Sequence, residues 1–333
     1  MTPPHRRFAV RRGGRRGGIR TKKYIGFVTS AVVVISAAGT VAVARPWPHG
    51  SVHPIPSVRY VGVHEPDAPF SYYGVSQFAQ AIGMQPNLVS YYSPWQEPFQ
   101  VGFPTSAAEH GALTVIQMDP TTATGTSVSL ASIVAGRYDD YLRSFAEAVK
   151  AFGSRIVLSF GHEMNGNWYS WGYQHTPSSV FVAAWRYIVT LFRAVGATNV
   201  TWLWTINVMD EDVPIPIPSP EPWWPGSSYV NWVGIDGYYF DSSSVFASLF
   251  GSTIAAVRAL TGDPILIAET GASPSADQPT KINDLFAGIR TYGLLGLIYF
   301  DENTQGRAWR INSPKAFAAF GQDAESWLDR KQP

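Results

Sequence analysis

From Val58 onward the chain alternates two hydrophobic rhythms. Short runs rich in β-branched and aromatic residues recur: VRYVGV (58–63), LVSYY (88–92), LTVIQM (113–118), IVLSFG (156–161), VTWLWTI (200–206), WVGIDGYY (232–239), ILIAE (265–269) and LGLIYF (295–300). Most are nearly uninterrupted by polar residues, as parallel strands covered on both faces should be. Between them, apolar residues fall at helical spacing. Tyr138, Tyr141, Leu142, Phe145, Val149 and Phe152 predict a helix ended by Gly153. Phe181, Trp185, Ile188, Phe192 and Val195 predict a second, with Thr176 and Pro177 as cap and first turn and Gly196 as its stop. Ile282, Leu285, Phe286, Ile289 and Tyr292 predict a third before Gly293. Only a short helix near Ser106–His110 fits between the second and third strands, and PIPIPSPEPWWPGSS (214–228) predicts a long loop after the fifth.

Eight strands alternating with helices over roughly 270 residues predict an α/β fold, a (β/α)8 TIM barrel spanning 58–333. An open doubly wound sheet is the competing arrangement. Where it would carry a glycine-rich phosphate loop, after the first strand, the chain reads VGVHEPDAPF.

The segments before the barrel follow a different pattern. Residues 1–23 hold nine of the 25 basic residues and no acid, so the rest carries 16 basic against 24 acidic side chains. Tyr24–Ala44 is an uncharged run long enough to cross a bilayer, and 45–57 is a proline-rich linker. Basic residues ahead of such a run predict a cytoplasmic tail, a transmembrane helix and an exported body. The competing reading is a signal peptide cleaved after Ala44, since Ala42-Val43-Ala44 has the small-residue form of a cleavage site. The long basic head favours the anchor, and either reading places the barrel outside the cytoplasm. That head alone could bind nucleic acid; beside the hydrophobic run it belongs at a membrane surface, so no nucleic-acid partner is expected. The chain has no cysteine, which excludes thiol catalysis and cysteine metal sites, and at 45% apolar residues it can fold on its core alone.

Reactive groups of a barrel gather at the C-terminal ends of its strands. Glu163 stands just past the fourth strand and Glu269 at the end of the seventh. Two carboxylates facing one bond are what glycoside hydrolysis requires, although either alone could be a solvated loop acid or an ion-pair partner. His162 beside Glu163 raises a zinc reading, which fails because the second histidine of that motif would fall at Gly166. His162 is then a hydrogen-bonding neighbour of Glu163 or a core histidine. No G-x-S-x-G element supports serine chemistry. Trp168 and Trp171, on the loop after Glu163, are a platform for sugar rings or local packing. Of Trp202 and Trp204 within the fifth strand, at least one belongs to the core.

The run GHEMNGNWYSWG (161–172) closely resembles the signature of glycoside hydrolase family 26, whose best-known members are β-mannanases. YVNWVGIDGYY (229–239), ILIAETG (265–271), LGLIYFDEN (295–303) and AWRINSP (308–314) extend the resemblance over the whole barrel. The resemblance implies a retaining enzyme with Glu163 as acid/base, Glu269 as nucleophile and Tyr238 holding the nucleophile's carboxylate. It also implies His162 and Trp168 lining the subsite of cleavage and Trp309 as a cleft aromatic. Ser159 departs from the family, which often carries an arginine early in the fourth strand. The substrate implied is a β-linked polysaccharide, β-1,4-mannan first, with β-1,3-xylan and mixed-linkage β-glucan as alternatives. A membrane-tethered polysaccharide-binding protein on an enzyme fold is the non-catalytic alternative, against which both glutamates stand. The chemistry requires no metal or organic cofactor, and a monomeric catalytic domain is expected.

Overall fold

All eight apolar runs form strands, and the strands close on one another. In this computed structural model the described residues are 56–210, 214–275, 277–304 and 307–329. The basic head, the hydrophobic run and nearly all of the linker lie outside the described residues. The strands are β1 (Tyr60–His64), β2 (Leu88–Trp95), β3 (Leu113–Thr122), β4 (Ile156–Phe160), β5 (Val200–Asn207), β6 (Trp232–Asp236), β7 (Ile265–Thr270) and β8 (Gly296–Phe300). Each pairs in parallel with the next, and β8 returns to β1, closing the barrel. Around it lie α1 (Tyr73–Ile82), α2 (Gly102–Glu109), α3 (Leu130–Val134), α4 (Asp139–Phe152), α5 (Ser178–Val195), α6 (Phe246–Leu260), α7 (Gln278–Thr291) and α8 (Pro314–Leu328). A two-stranded hairpin, β9 (Asn303–Thr304) and β10 (Arg307–Ala308), follows β8.

Alternation along each strand divides the side chains between two cores. Leu88, Val115, Val157, Leu203, Leu266 and Ile298 fill the barrel interior with Tyr60 and Trp232. Their strand neighbours face the helices. Leu203 thus points inward while Trp202 packs on Phe192 and Trp204 on Trp224, and both tryptophans are buried. Two residues nearer the mouth the interior turns polar: Ser159 of β4 and Thr205 of β5 share a hydrogen bond of 3.0 Å. Ser159 therefore faces inward as the layer beneath the mouth, presenting a short hydroxyl there.

Sequence and structure differ at several ends. The second long helix starts at Ser178, because the Thr176 hydroxyl donates to the Ser170 carbonyl at 2.8 Å and does not cap. Strand β6 stops at Asp236, three residues early; its register against β7 shifts there and Gly237 N–H donates to Glu269 O at 3.0 Å. Tyr238 and Tyr239 consequently lie on a loop above the barrel. Helix α5 is, by length and composition, the one helix among the described residues able to cross a membrane; its apolar face packs on the barrel. Replacing fully buried Phe192, which meets Trp202 at 5.3 Å, with alanine is expected to cost about 3–5 kcal/mol, measured by denaturant unfolding of the barrel.

Candidate active site

The turn after β4 brings Glu163 to the mouth through unusual backbone. Gly161 has φ 55°, and a Cβ there would lie 3.2 Å from the Phe181 ring and 3.3 Å from Trp171. Glu163 itself has φ 54°, a left-handed conformation costing a non-glycine residue roughly 1–3 kcal/mol. Its N–H is held by the Thr205 carbonyl at 2.9 Å, and Trp171 Nε1 donates to His162 O at 2.8 Å. This bracing fixes where the carboxyl points.

Glu163 is buried, at 7% exposed. Its Oε1 accepts from Asn207 Nδ2 at 2.5 Å and its Oε2 from Trp168 Nε1 at 2.6 Å. Burial pushes its pKa up to about 7; the His162 charge opposes that rise, the Glu269 charge adds to it, and the two N–H donors reduce it. Glu269, at the end of β7, is therefore near enough to act on Glu163 through its charge. The Tyr238 hydroxyl donates to its Oε1 and the Tyr92 hydroxyl to its Oε2. Burial first, and the Glu269 charge next, hold both phenols well above the usual tyrosine range, so each keeps a proton to donate.

His162 is buried between two partners, Asp119 Oδ1 at 2.8 Å from Nδ1 and the Tyr169 hydroxyl at 3.1 Å from Nε2. Burial disfavours its charged form, but the Asp119 carboxylate outweighs it and lifts His162 to about 9. At neutral pH the ring is an imidazolium beside both glutamates. Trp168, 46% exposed, presents its ring to solvent at the mouth, whereas Trp171 is buried and stacked on Tyr169 at 4.3 Å. Trp171 is packing. Trp309 is only 4% exposed and lies against Tyr238 at 4.4 Å, behind the phenol that holds Glu269.

All six residues singled out from the sequence thus gather at one end of the barrel, and others join them unannounced. Asn207, Asp236 and Glu269 stand in register across β5, β6 and β7. Asp236 is fully buried, and neither of its oxygens has a hydrogen-bond partner among the described residues. Burial, then the charges of Glu269, Glu163 and Asp119, push its carboxyl well above the usual range. Tyr92 and Asp119 close the ring from β2 and β3. The readable signal for all four is a polar residue, or a tyrosine, at the mouth end of an apolar strand. Among the described residues no group of acidic or histidine side chains could hold a metal ion. A carboxyl that keeps its proton near neutral pH, beside a second one held by two hydroxyl donors, can deliver a proton and attack across one bond.

The sequence model of glycosyl hydrolase family 26 matches residues 100–290. Endoglucanase H of Acetivibrio thermocellus is 30% identical over 263 residues, 74% of this chain and 28% of that protein. Mannan endo-1,4-beta-mannosidase A and B of Caldalkalibacillus mannanilyticus is 26% identical over 119 residues, 33% of this chain and 22% of that one. The chain thus spans under a third of the length of either relative. Among solved structures, a mannanase of Bacillus subtilis superposes with a TM-score of 0.59 at 17% identity, covering 78% of this chain and 84% of its own. A β-mannanase of Bacteroides ovatus gives 0.58 at 18% identity, covering 81% and 88%.

Proposed function

We propose that this chain, which belongs to glycosyl hydrolase family 26, cleaves a β-linked polysaccharide by double displacement, with Glu163 as acid/base and Glu269 as nucleophile. One observation carries the reading: two carboxyls at one barrel mouth in opposite environments, Glu163 holding its proton to about pH 7 and Glu269 gripped by two phenols. Glu269 attacks the anomeric carbon while Glu163 protonates the departing oxygen. As the proton leaves, the Asn207 and Trp168 N–H groups already face the new carboxylate and stabilise it. The glycosyl ester on Glu269 is then opened by water, from which Glu163 takes a proton. Tyr238 and Tyr92 orient the nucleophile, His162 balances the negative charge, and exposed Trp168 offers a face to the sugar.

β-1,4-Mannan is the first substrate, supported by the mannanases among the relatives; β-glucan is second, supported by the endoglucanase. Incubating the soluble body with mannan, mixed-linkage glucan and β-1,3-xylan tests this. Reducing sugar from mannan supports the first reading, from glucan the second, and none from any panel member sinks both. The charge pattern of residues 1–44 supports a barrel held outside the cytoplasm by a hydrophobic anchor. Fractionation of cells expressing the full chain should find it with membranes; recovery of a form beginning after Ala44 in the medium means cleavage instead.

The pH dependence follows from the proton on Glu163. Activity should fall as pH rises through about 7, where the acid loses it. Because the Asn207 N–H favours the ionised form, Asn207→Ala should move that alkaline limb to higher pH while lowering the maximum. A pH profile of kcat/KM decides; a limb that stays in place or moves down contradicts the assignment.

A further inference from the structure

We propose, resting on the functional reading above, that Glu65 is a positioning residue: it fixes the segment that carries Trp309 and, through Trp309 and Tyr238, the place of Glu269. Glu65 follows β1 at the mouth and is 4% exposed. On one side it is wedged against α1, where a Cβ added to Gly74 would lie 3.0 Å from its Cβ and 3.1 Å from its Oε2. On the other, Arg310 Nη2 donates to Glu65 Oε2 at 3.2 Å. Arg310 Nε also donates to the Asp301 carbonyl at 3.0 Å, and Asp301 Oδ1 accepts from Ile311 N–H at 2.7 Å. Burial first, and the Asp301 charge next, push the Glu65 carboxyl up to about 8, while the Arg310 charge opposes the rise. Residues 310 and 311 are thus gripped from the ends of β1 and β8 immediately after Trp309.

Trp309 transmits that grip. Its carbonyl accepts from the buried Tyr299 hydroxyl at 3.0 Å, and its ring backs Tyr238, whose hydroxyl donates to Glu269. Two buried carboxyls are an expensive way to hold a loop, since taking ionisable groups out of water costs free energy that apolar packing does not. What they provide is direction: hydrogen bonds of fixed geometry aim the backbone, which apolar packing of the same loop does less well. The catalytic reading makes no use of Glu65.

The test compares wild type with Glu65→Gln and Gly74→Ala. Glu65→Gln turns one carboxyl oxygen into an amide NH2 group, which cannot accept from Arg310; Gly74→Ala keeps every polar group but crowds Glu65. Each is labelled with 5-fluorotryptophan, and the Trp309 fluorine resonance is identified by its loss in Trp309→Phe. Both variants should shift or broaden that resonance, leave most other tryptophan signals in place, and lower kcat on the glycan wild type cleaves by about five- to tenfold with KM within twofold. An unmoved Trp309 resonance overturns the proposal, as does a lowered melting temperature with unchanged kcat. If Glu65→Gln fails to fold, Gly74→Ala decides on the same two readouts. Wild type that cleaves no glycan contradicts the functional reading instead, and the fluorine signal alone then decides the positioning role.

Discussion

Replacing Glu269 with alanine should reduce turnover of polysaccharide by on the order of 10⁴-fold or more, the largest loss of any single substitution here. The covalent step has no substitute: Tyr92 and Tyr238 point their hydroxyls at this carboxylate, and both phenols are held protonated, so neither can attack in its place. The space vacated lies against the anomeric carbon. A small anion such as azide, added to the variant with an activated aryl glycoside, should therefore enter from that side and give a glycosyl azide of inverted configuration. Wild-type turnover in Glu269→Ala, or rescue that yields the retained azide, contradicts the assignment.

Glu163→Gln should produce a smaller and differently shaped defect. On unactivated polysaccharide, loss of the proton donor should slow turnover by about 10²–10⁴-fold. With a dinitrophenyl leaving group the first step needs no proton, so that step should proceed nearly as in wild type. The second step still lacks its base, and the glycosyl ester on Glu269 should accumulate, visible as a burst of phenol and as a mass increment on the protein. The alkaline limb near pH 7 should vanish with it, because the group that titrates there is gone. A variant that loses activity equally on both substrates without trapped ester means that Glu163 does something else.

Much of this was legible before any coordinates. Parallel strands buried on both faces leave long apolar runs, which is why the barrel could be counted from the sequence. Glu163 and Glu269 stood out because an acid ending such a run has no packing reason to be there. Strand ends were less legible. Asp119 and Pro120 look like a terminator, yet β3 runs on to Thr122, and this extension carries Asp119 to the mouth beneath His162. The two tyrosines at 238–239 look like strand, but the shift of register at Asp236 lifts them onto a loop. Parity would have revealed Asn207, which shares the inward face of Leu203 and Thr205, just as Asp236 shares that of Trp232. No such rule reaches Trp309. Its burial depends on the loop that follows β8 folding back over Tyr238, an arrangement set by hydrogen bonds between residues far apart in sequence.

The most direct measurement is the stereochemistry of the first product. When a β-linked oligosaccharide is hydrolysed in an NMR tube, double displacement through Glu269 must release the new reducing end as the β-anomer, which afterwards relaxes to the equilibrium mixture. Appearance of the β-anomeric proton signal first is the expected result. If the α-anomer forms first, water attacks the sugar directly, and Glu269 is not a nucleophile.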